Sequence, residues 1–351
     1  MNNESESGKS KPWFSSTFDT VGVKLRADGV DLYQLHQLHP KRVVYREGRY
    51  RVKSRFGTFA WLRSRRGQGV LFIEASVPKF LTGQNLVGTE RLRQGAIELI
   101  DKVLARARIE LSSEEVRSYR AGDFELTRVD YANHLWCGSK AHALVFMRAL
   151  HRRTVAKIWN FTQYRRQTLY WSKDSKRWTM KAYLKALELK KRPMGSQVRA
   201  RKTLTQKAEG MIRFELTLRG QELKRLGLNR PETWTPENAR ELLTERVKAV
   251  LPQEGQVIDL RGMEQLGDRT RIRLELFLLG QTAAFDQYER AKLDDRRDIR
   301  EHTGFDIDSV LTPSEQHESM KTLLQMFEQG WGFRSREAKW EDMKQGKLGP
   351  V

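Results

Sequence analysis

Cysteine is almost missing from this chain: Cys137 is the single one among 351 residues. That excludes an internal disulfide and any zinc site built on several thiolates. Long apolar runs are missing too, none approaching the roughly 18 residues that cross a bilayer, so no membrane partner is expected. The opening MNNESESGKSKPW lacks the apolar core of a secretory signal, and residues 1–14 read as a disordered polar tail. Acidic residues are in short supply, 44 Asp plus Glu against 65 Lys plus Arg, for a net charge of +21. A polyanion is the expected partner of such a chain, and nucleic acid is the commonest soluble one.

The positive charge is unevenly spread. Lys41 to Arg66 holds ten basic residues and one acid, Glu47. Residues 162–202 hold thirteen basic residues against Asp174 and Glu188. A charge run is ordinarily a solvated face. Here Trp159, Tyr164, Tyr170, Trp171 and Trp178 accompany it, either as core aromatics or as rings on which unpaired bases stack.

The chain is long enough for two domains. Strands are expected at Phe18 to Leu25, Arg42 to Tyr45, Tyr50 to Phe56, Gly69 to Ala75, Thr127 to Leu135, Gln167 to Trp171, Trp178 to Lys185 and Met211 to Arg219. Helices are expected from about Thr89 to Ala107 and from Ser139 to Ile158. The fold class is α+β, an antiparallel sheet with packed helices over residues 15–228, followed by a mostly helical C-terminal region, residues 229–351. Thr235-Pro236 and Thr312-Pro313-Ser314-Glu315 are helix starts, and Gly330 is placed to end the last helix. Arg269 to Val310 reads either as a helix-turn-helix-like unit, which would bind DNA, or as a plain pair of packed helices.

Three expected strands alternate with a strict period of two. In one, Trp178, Met180, Ala182 and Leu184 point one way, and Arg177, Thr179, Lys181, Tyr183 and Lys185 the other. In another, Ile212, Phe214, Leu216 and Leu218 oppose Arg213, Glu215, Thr217 and Arg219. In the third, Arg128, Asp130, Ala132 and His134 share a face. A tyrosine among lysines beside arginine-flanked acids suits phosphodiester chemistry; the competing reading is a set of surface ion pairs.

Four ordered segments carry a resemblance. LFIEASVPKFLTGQNLVGT from Leu71, LTRVDYANHL from Leu126, TLYWSKDSKRWTMKAYLKALEL from Thr168 and GMIRFELTLRGQELKRLGL from Gly210 resemble the replication initiators of filamentous bacteriophages, the gene II protein family with the related gene X protein. The resemblance implies a rolling-circle initiator of the host bacterial cytoplasm. Such a protein nicks double-stranded origin DNA through a 5′-phosphotyrosyl link, leaves a 3′ hydroxyl for host polymerase while a host helicase works, and rejoins the displaced single strand. It implies Tyr183 as nucleophile with Lys185 as its helper, since a phenol is a weak nucleophile below its ordinary pKa of about 10. Asp130, Glu215 and Glu188 are the matching acids.

Hard carboxylate oxygens suit Mg²⁺ or Mn²⁺, so these three acids are the expected metal ligands. His134 is either a further ligand or a structural histidine. The histidine–apolar–histidine pair of many rolling-circle nickases is absent, His36 and His39 being the nearest spacing. Gln84 stands where family members often carry histidine, and Tyr164 and Tyr170 have no clear counterparts. The expected DNA contacts are Lys181, Arg213 and Arg128 beside the reactive groups, Lys79 in the turn, and Arg63, Arg65 and Arg66 in the first basic cluster. The rival readings are a non-catalytic origin- or single-strand-binding regulator and an RNA-binding protein.

Overall fold

In the computed structural model, which describes residues 14–65, 68–137, 161–164, 168–250, 264–278 and 290–303 with isolated positions at 140, 143, 144, 147, 150 and 307, ten strands form one antiparallel sheet. They are β1 (Phe14–Arg26), β2 (Val43–Arg46), β3 (Arg49–Lys53), β4 (Phe59–Arg65), β5 (Val70–Ser76), β6 (Glu125–Trp136), β7 (Phe161–Tyr164), β8 (Thr168–Trp171), β9 (Trp178–Leu184) and β10 (Met211–Arg219). Their order is β2-β3-β4-β5-β1-β6-β10-β9-β8-β7. The β2–β3 hairpin turns on Glu47 and Gly48, both at positive φ (53° and 74°). That combination follows the right-handed strand twist.

The helices of the sheet region are α1 (Leu32–Leu38), α2 (Val77–Thr82), α3 (Leu92–Ala107), α4 (Ser113–Ala121), α5 (Lys185–Lys191), α6 (Arg201–Lys207) and α7 (Gly220–Arg225). Along α3, Leu92, Ala96, Leu99, Ile100, Val103 and Ala107 form the buried stripe that the 3.6-residue period requires. It shares the main core with the apolar sheet face, where Val21, Val23, Val52, Leu62, Ile73, Val129, Phe214 and Leu216 are all buried. The opposite face is roofed at one end by a smaller apolar cluster of Leu86, Leu189, Met194, Val198, Leu204 and Met211, with Phe56 and Trp136 against it.

Beyond the sheet, α8 (Pro236–Val250), α9 (Asp268–Leu278) and α10 (Arg290–Thr303) are helical as expected. Trp234, Ala239, Leu243 and Val247 enter the main core. Thr270 donates to Asp295 at 2.8 Å, and Arg273 pairs with the same carboxylate, so α9 and α10 meet as a packed pair. Phe14, the last residue of the expected tail, opens β1; the rest of that tail, most of the expected 139–158 helix and the helix after Thr312 lie outside the described residues. No helix among those described is long and apolar enough to cross a membrane.

Two strands escape the sequence reading. β4, FAWLRSR, interleaves rings and arginines on one face with Ala60 and Leu62 on the other, so neither face reads as simply polar or apolar. β7 spans only four residues. Boundaries are corrected as well: Lys185 opens α5 instead of ending β9, and the strand expected to run to Phe56 ends at Lys53.

Candidate active site

Strand register brings the three alternating segments together. Tyr183 pairs across β9–β10 with Arg213, which pairs across β10–β6 with His134. One step along, Lys181 faces Glu215, which faces Ala132; one further, Thr179 faces Thr217, which faces Asp130. All lie on one sheet face. That face is a largely buried polar layer here, with Arg213 and His134 at 0% exposure and Asp130 at 1%, while Lys181 and Arg128 keep side chains 28% and 32% exposed. The reading as surface ion pairs is corrected for Arg213–Glu215, both of which are buried, whereas in Arg128–Asp130 the acid is buried and the arginine stays partly exposed.

Burial without partners would be prohibitive for so many charges, and each has partners. The Tyr183 hydroxyl donates to Glu215 Oε2 at 3.3 Å, an oxygen that also accepts from Arg213 Nε at 3.1 Å. Lys181 Nζ lies 2.5 Å from the other oxygen, Oε1. Arg213 is the hub, donating through Nη1 to the Asn85 carbonyl (2.7 Å) and His134 Nε2 (2.9 Å), and pairing through Nη2 with Asp19. His134 thus accepts, and it is structural. Lys185 donates to Asn85 Oδ1 at 2.7 Å and pairs with Glu188, whose other oxygen lies 2.9 Å from Lys79 Nζ. Arg128 forks onto both oxygens of Asp130 (2.9 and 2.8 Å) and reaches Glu74 at 3.1 Å.

Asp19 and Asn85 are the participants that the sequence does not announce. Asp19 sits where the β1–β6 register shifts between Phe18 and Val21, and such a bulge re-aims a side chain. Its carboxylate meets Arg213, Ser76 and Asn85 Nδ2, the last at 2.8 Å. Asn85 lies in the loop after α2, which ends on Gly83 at φ 81°. A Cβ on Gly83 would stand 2.7 Å from Val198 and 2.8 Å from the Phe56 ring, so only glycine closes the loop. Gln84 holds the same loop from within: its Oε1 accepts from the amides of Leu86 (2.6 Å) and Val87 (3.0 Å), and its Nε2 donates to the Val87 carbonyl at 2.9 Å. The residue without an assigned role thus presents Asn85.

Electrostatics follow from this largely buried layer. Burial, reinforced by Glu215, Glu188 and Asp19, holds the Tyr183 phenol well above its ordinary pKa against the pull of Arg213. Burial and Arg213 lower Lys185 to about 8 despite Glu188. Burial raises Asp130 against the Arg128 fork, and Glu215 adds to the rise. Glu215 is lowered because Lys181 and Arg213 outweigh its burial. Burial alone would raise Glu188, but Lys185 and Lys79 carry it down to about 2.

A stability prediction follows from Glu188. A carboxyl lowered from its ordinary 4.5 to about 2 contributes stability that is whole above pH 4.5 and lost as pH falls toward 2. The linkage is worth up to about 3 kcal/mol. Urea titrations of wild type and Glu188→Gln are expected to differ by a constant amount above pH 4.5 and to converge below it. A difference independent of pH between 5 and 2.5 would refute the assignment.

The three acids expected as metal ligands do not form one donor set. Glu188 is held by Lys79 and Lys185, Asp130 is forked by Arg128, and Glu215 is shared among Lys181, Arg213 and Tyr183. Among the described residues no group of three or more His, Cys, Asp and Glu side chains is disposed to hold an ion. A divalent cation would have to take oxygens from these arginines and lysines. The residues as arranged do not fit it.

Among the expected DNA contacts, Arg213 is wholly buried and is corrected to a scaffold role. Lys181, Lys79 and Arg128 are each engaged with acids. Arg63 is exposed on β4, Arg65 ends that strand, and Arg66 lies outside the described residues. A basic groove of about 1060 Å³ beside α2 and α3 gathers Lys41, Arg42, Lys53 and Arg55 of the first basic cluster with Lys102 and Arg106, beside Glu98.

Known proteins resemble this chain in sequence. A family model for the N-terminal region of the phage gene II replication-associated protein matches residues 10–237. The replication-associated protein of that type from Enterobacteria phage I2-2 is 31% identical over 180 residues, covering 48% of this chain and 50% of the relative. The chain thus spans about half the length of that curated relative. Among solved structures, a rolling circle replication initiator protein from Geobacillus stearothermophilus matches at 12% identity and a TM-score of 0.37, over 70% of this chain and 89% of the other.

Proposed function

The chain belongs to the gene II replication-associated protein family of phages, and on that premise we propose that it initiates rolling-circle replication. It nicks one strand of its origin by tyrosine transesterification and later rejoins the displaced strand. The observation that carries this reading is the Tyr183 hydroxyl on Glu215 Oε2, with Lys181 and Lys185 within 5.5 and 6.0 Å of the ring centroid and Arg213 on the same acceptor oxygen. A phenol with a raised pKa is inert until its proton has somewhere to go and its charge a partner. Glu215, itself held low by Lys181 and Arg213, orients the phenol through this hydrogen bond, the three cations hold the phenolate that forms, and the phenol's proton passes to the departing 3′ oxygen.

The Tyr183 oxygen then bonds to phosphorus as the bond to the 3′ oxygen breaks. The 3′ oxygen leaves as a hydroxyl, and the 5′ phosphate stays on the enzyme. Because the ester is conserved, a 3′ hydroxyl attacking the phosphotyrosine restores the strand without a nucleotide cofactor. Residues 15–228 carry this reaction. The 3′ end serves a host polymerase, aided by a host helicase, in the bacterial cytoplasm. The basic groove and the charge of +21 suit the double-stranded origin. A purely binding protein would have no use for a phenol kept among buried ions.

The test is incubation of the full chain with supercoiled DNA bearing the cognate origin, in Mg²⁺ and in EDTA, followed by denaturing electrophoresis. Relaxed circles with protein joined to the 5′ end are the expected result. Relaxed circles with free 5′ phosphates would overturn the tyrosine route, and bound but uncut circles would leave a binding protein.

A further inference from the structure

The polar layer does not stop at Asp130. Register continues the same sheet face outward through Arg128, Gly22, Glu74, Trp61 and Arg51, each opposite the next across β6, β1, β5, β4 and β3. A parallel row runs from Lys24 through Phe72 to Arg63, and Lys53 faces Phe59. Gly22 leaves space for Arg128 to reach across β1 to Glu74. The reverse side of these strands is the main core, with Val52, Ala60, Leu62 and Ile73 all buried. On the outer side Arg63 and Lys53 are exposed, and Phe59, Trp61 and Phe72 are half-buried.

Two features distinguish this face from an ordinary solvated one. Arginines lie flat over rings: the Arg51 guanidinium carbon is 4.4 Å from the Phe59 centroid and that of Arg63 is 4.5 Å from Phe72. The charge is also left unanswered. Glu74, the acid on this side of β3 to β5, is taken by Arg128, whereas Arg51, Lys53 and Arg63 form no ion pair among the described residues. Arg51 Nε is buried there without a hydrogen-bond acceptor. In the catalytic layer each cation has its acid; on this face the counter-ion must come from outside.

We propose that the outer face of β3, β4 and β5 is a platform for the displaced single strand, whose bases stack on Trp61 and on the Arg51–Phe59 and Arg63–Phe72 pairs while its phosphates meet Arg51 and Arg63. Aromatic and guanidinium planes on an open sheet take unpaired bases; bases of a duplex keep their faces against one another. The Arg128–Glu74 pair joins the platform to the Tyr183 site, so a strand leaving the phosphotyrosine reaches it without crossing the core. This assignment rests on the nicking function above, and its test is independent of cleavage.

The experiment measures anisotropy of a fluorescein-labelled oligo-dT of about 20 nucleotides, and of a blunt duplex without origin sequence, with full-length wild type, Trp61→Leu and Arg63→Gln. Trp61→Leu keeps apolar bulk and loses the stacking plane. It is expected to weaken oligo-dT binding about tenfold or more while duplex affinity stays within about twofold. Arg63→Gln, at an exposed position, tests the surface even if Trp61→Leu fails to fold. It is expected to weaken oligo-dT binding and flatten its log–log salt dependence by about 0.7. Unchanged oligo-dT affinity in the folded variants would overturn the proposal, as would equal losses on both probes, which would make this a duplex surface. The probes carry no origin and nothing is cut, so failure here is separate from failure to form the covalent adduct.

Discussion

Tyr183→Phe is expected to abolish both the 5′-linked adduct and strand cleavage while the fold and origin binding persist. The substitution removes one oxygen from a side chain 9% exposed and leaves the ring in place. Glu215 loses one 3.3 Å hydrogen bond and keeps Lys181 and Arg213, so the stability change stays within about 1 kcal/mol. Removing a covalent nucleophile costs on the order of 10⁴-fold or more in rate. Denaturing gels of supercoiled origin DNA measure cleavage, and thermal unfolding measures the fold. Cleavage by Tyr183→Phe at a rate near wild type would transfer the nucleophile to another residue, with Tyr164 and Tyr170 next to be substituted.

Arg213→Met is expected to cost about 3–5 kcal/mol of folding stability, the loss typical when one partner of a buried ion network is removed. Methionine fills much of the volume, so the loss is electrostatic. Asp19 keeps only Ser76 and Asn85, Glu215 keeps Lys181 and Tyr183, and the Asn85 carbonyl and His134 lose their donor. Arg213→Lys should recover little, because a single ammonium cannot span four acceptors held by a planar fork. Urea unfolding checks this, and adding Asp19→Asn to Arg213→Met is expected to restore part of the loss by removing one uncompensated charge. A loss below about 1 kcal/mol would mean that the network contributes little to the fold.

The strands of the site were legible because their signal is local. MIRFELTLR alternates without a break and forms β10 over the same residues. β4 was missed because its rings and arginines share a face that is neither core nor open water. Lys185 was misplaced because alternation runs on one residue past the point where the chain turns into α5. The metal expectation counted acids without their partners, and each of those acids has cations on its oxygens.

By itself the sequence determined which side chains share a strand face, since period two is a property of the extended backbone and needs no neighbour. It also determined the net charge of +21, because net charge is a sum over residues. Only the tertiary structure decided that the polar face is roofed, that Arg213 is a buried hub, and that Asp19 and Asn85 complete the layer. Those outcomes depend on a bulge in β1 and a loop after α2 meeting β10 from positions 194 and 128 residues away in the chain. Contacts at such separation arise from sheet order and packing, which no local pattern encodes.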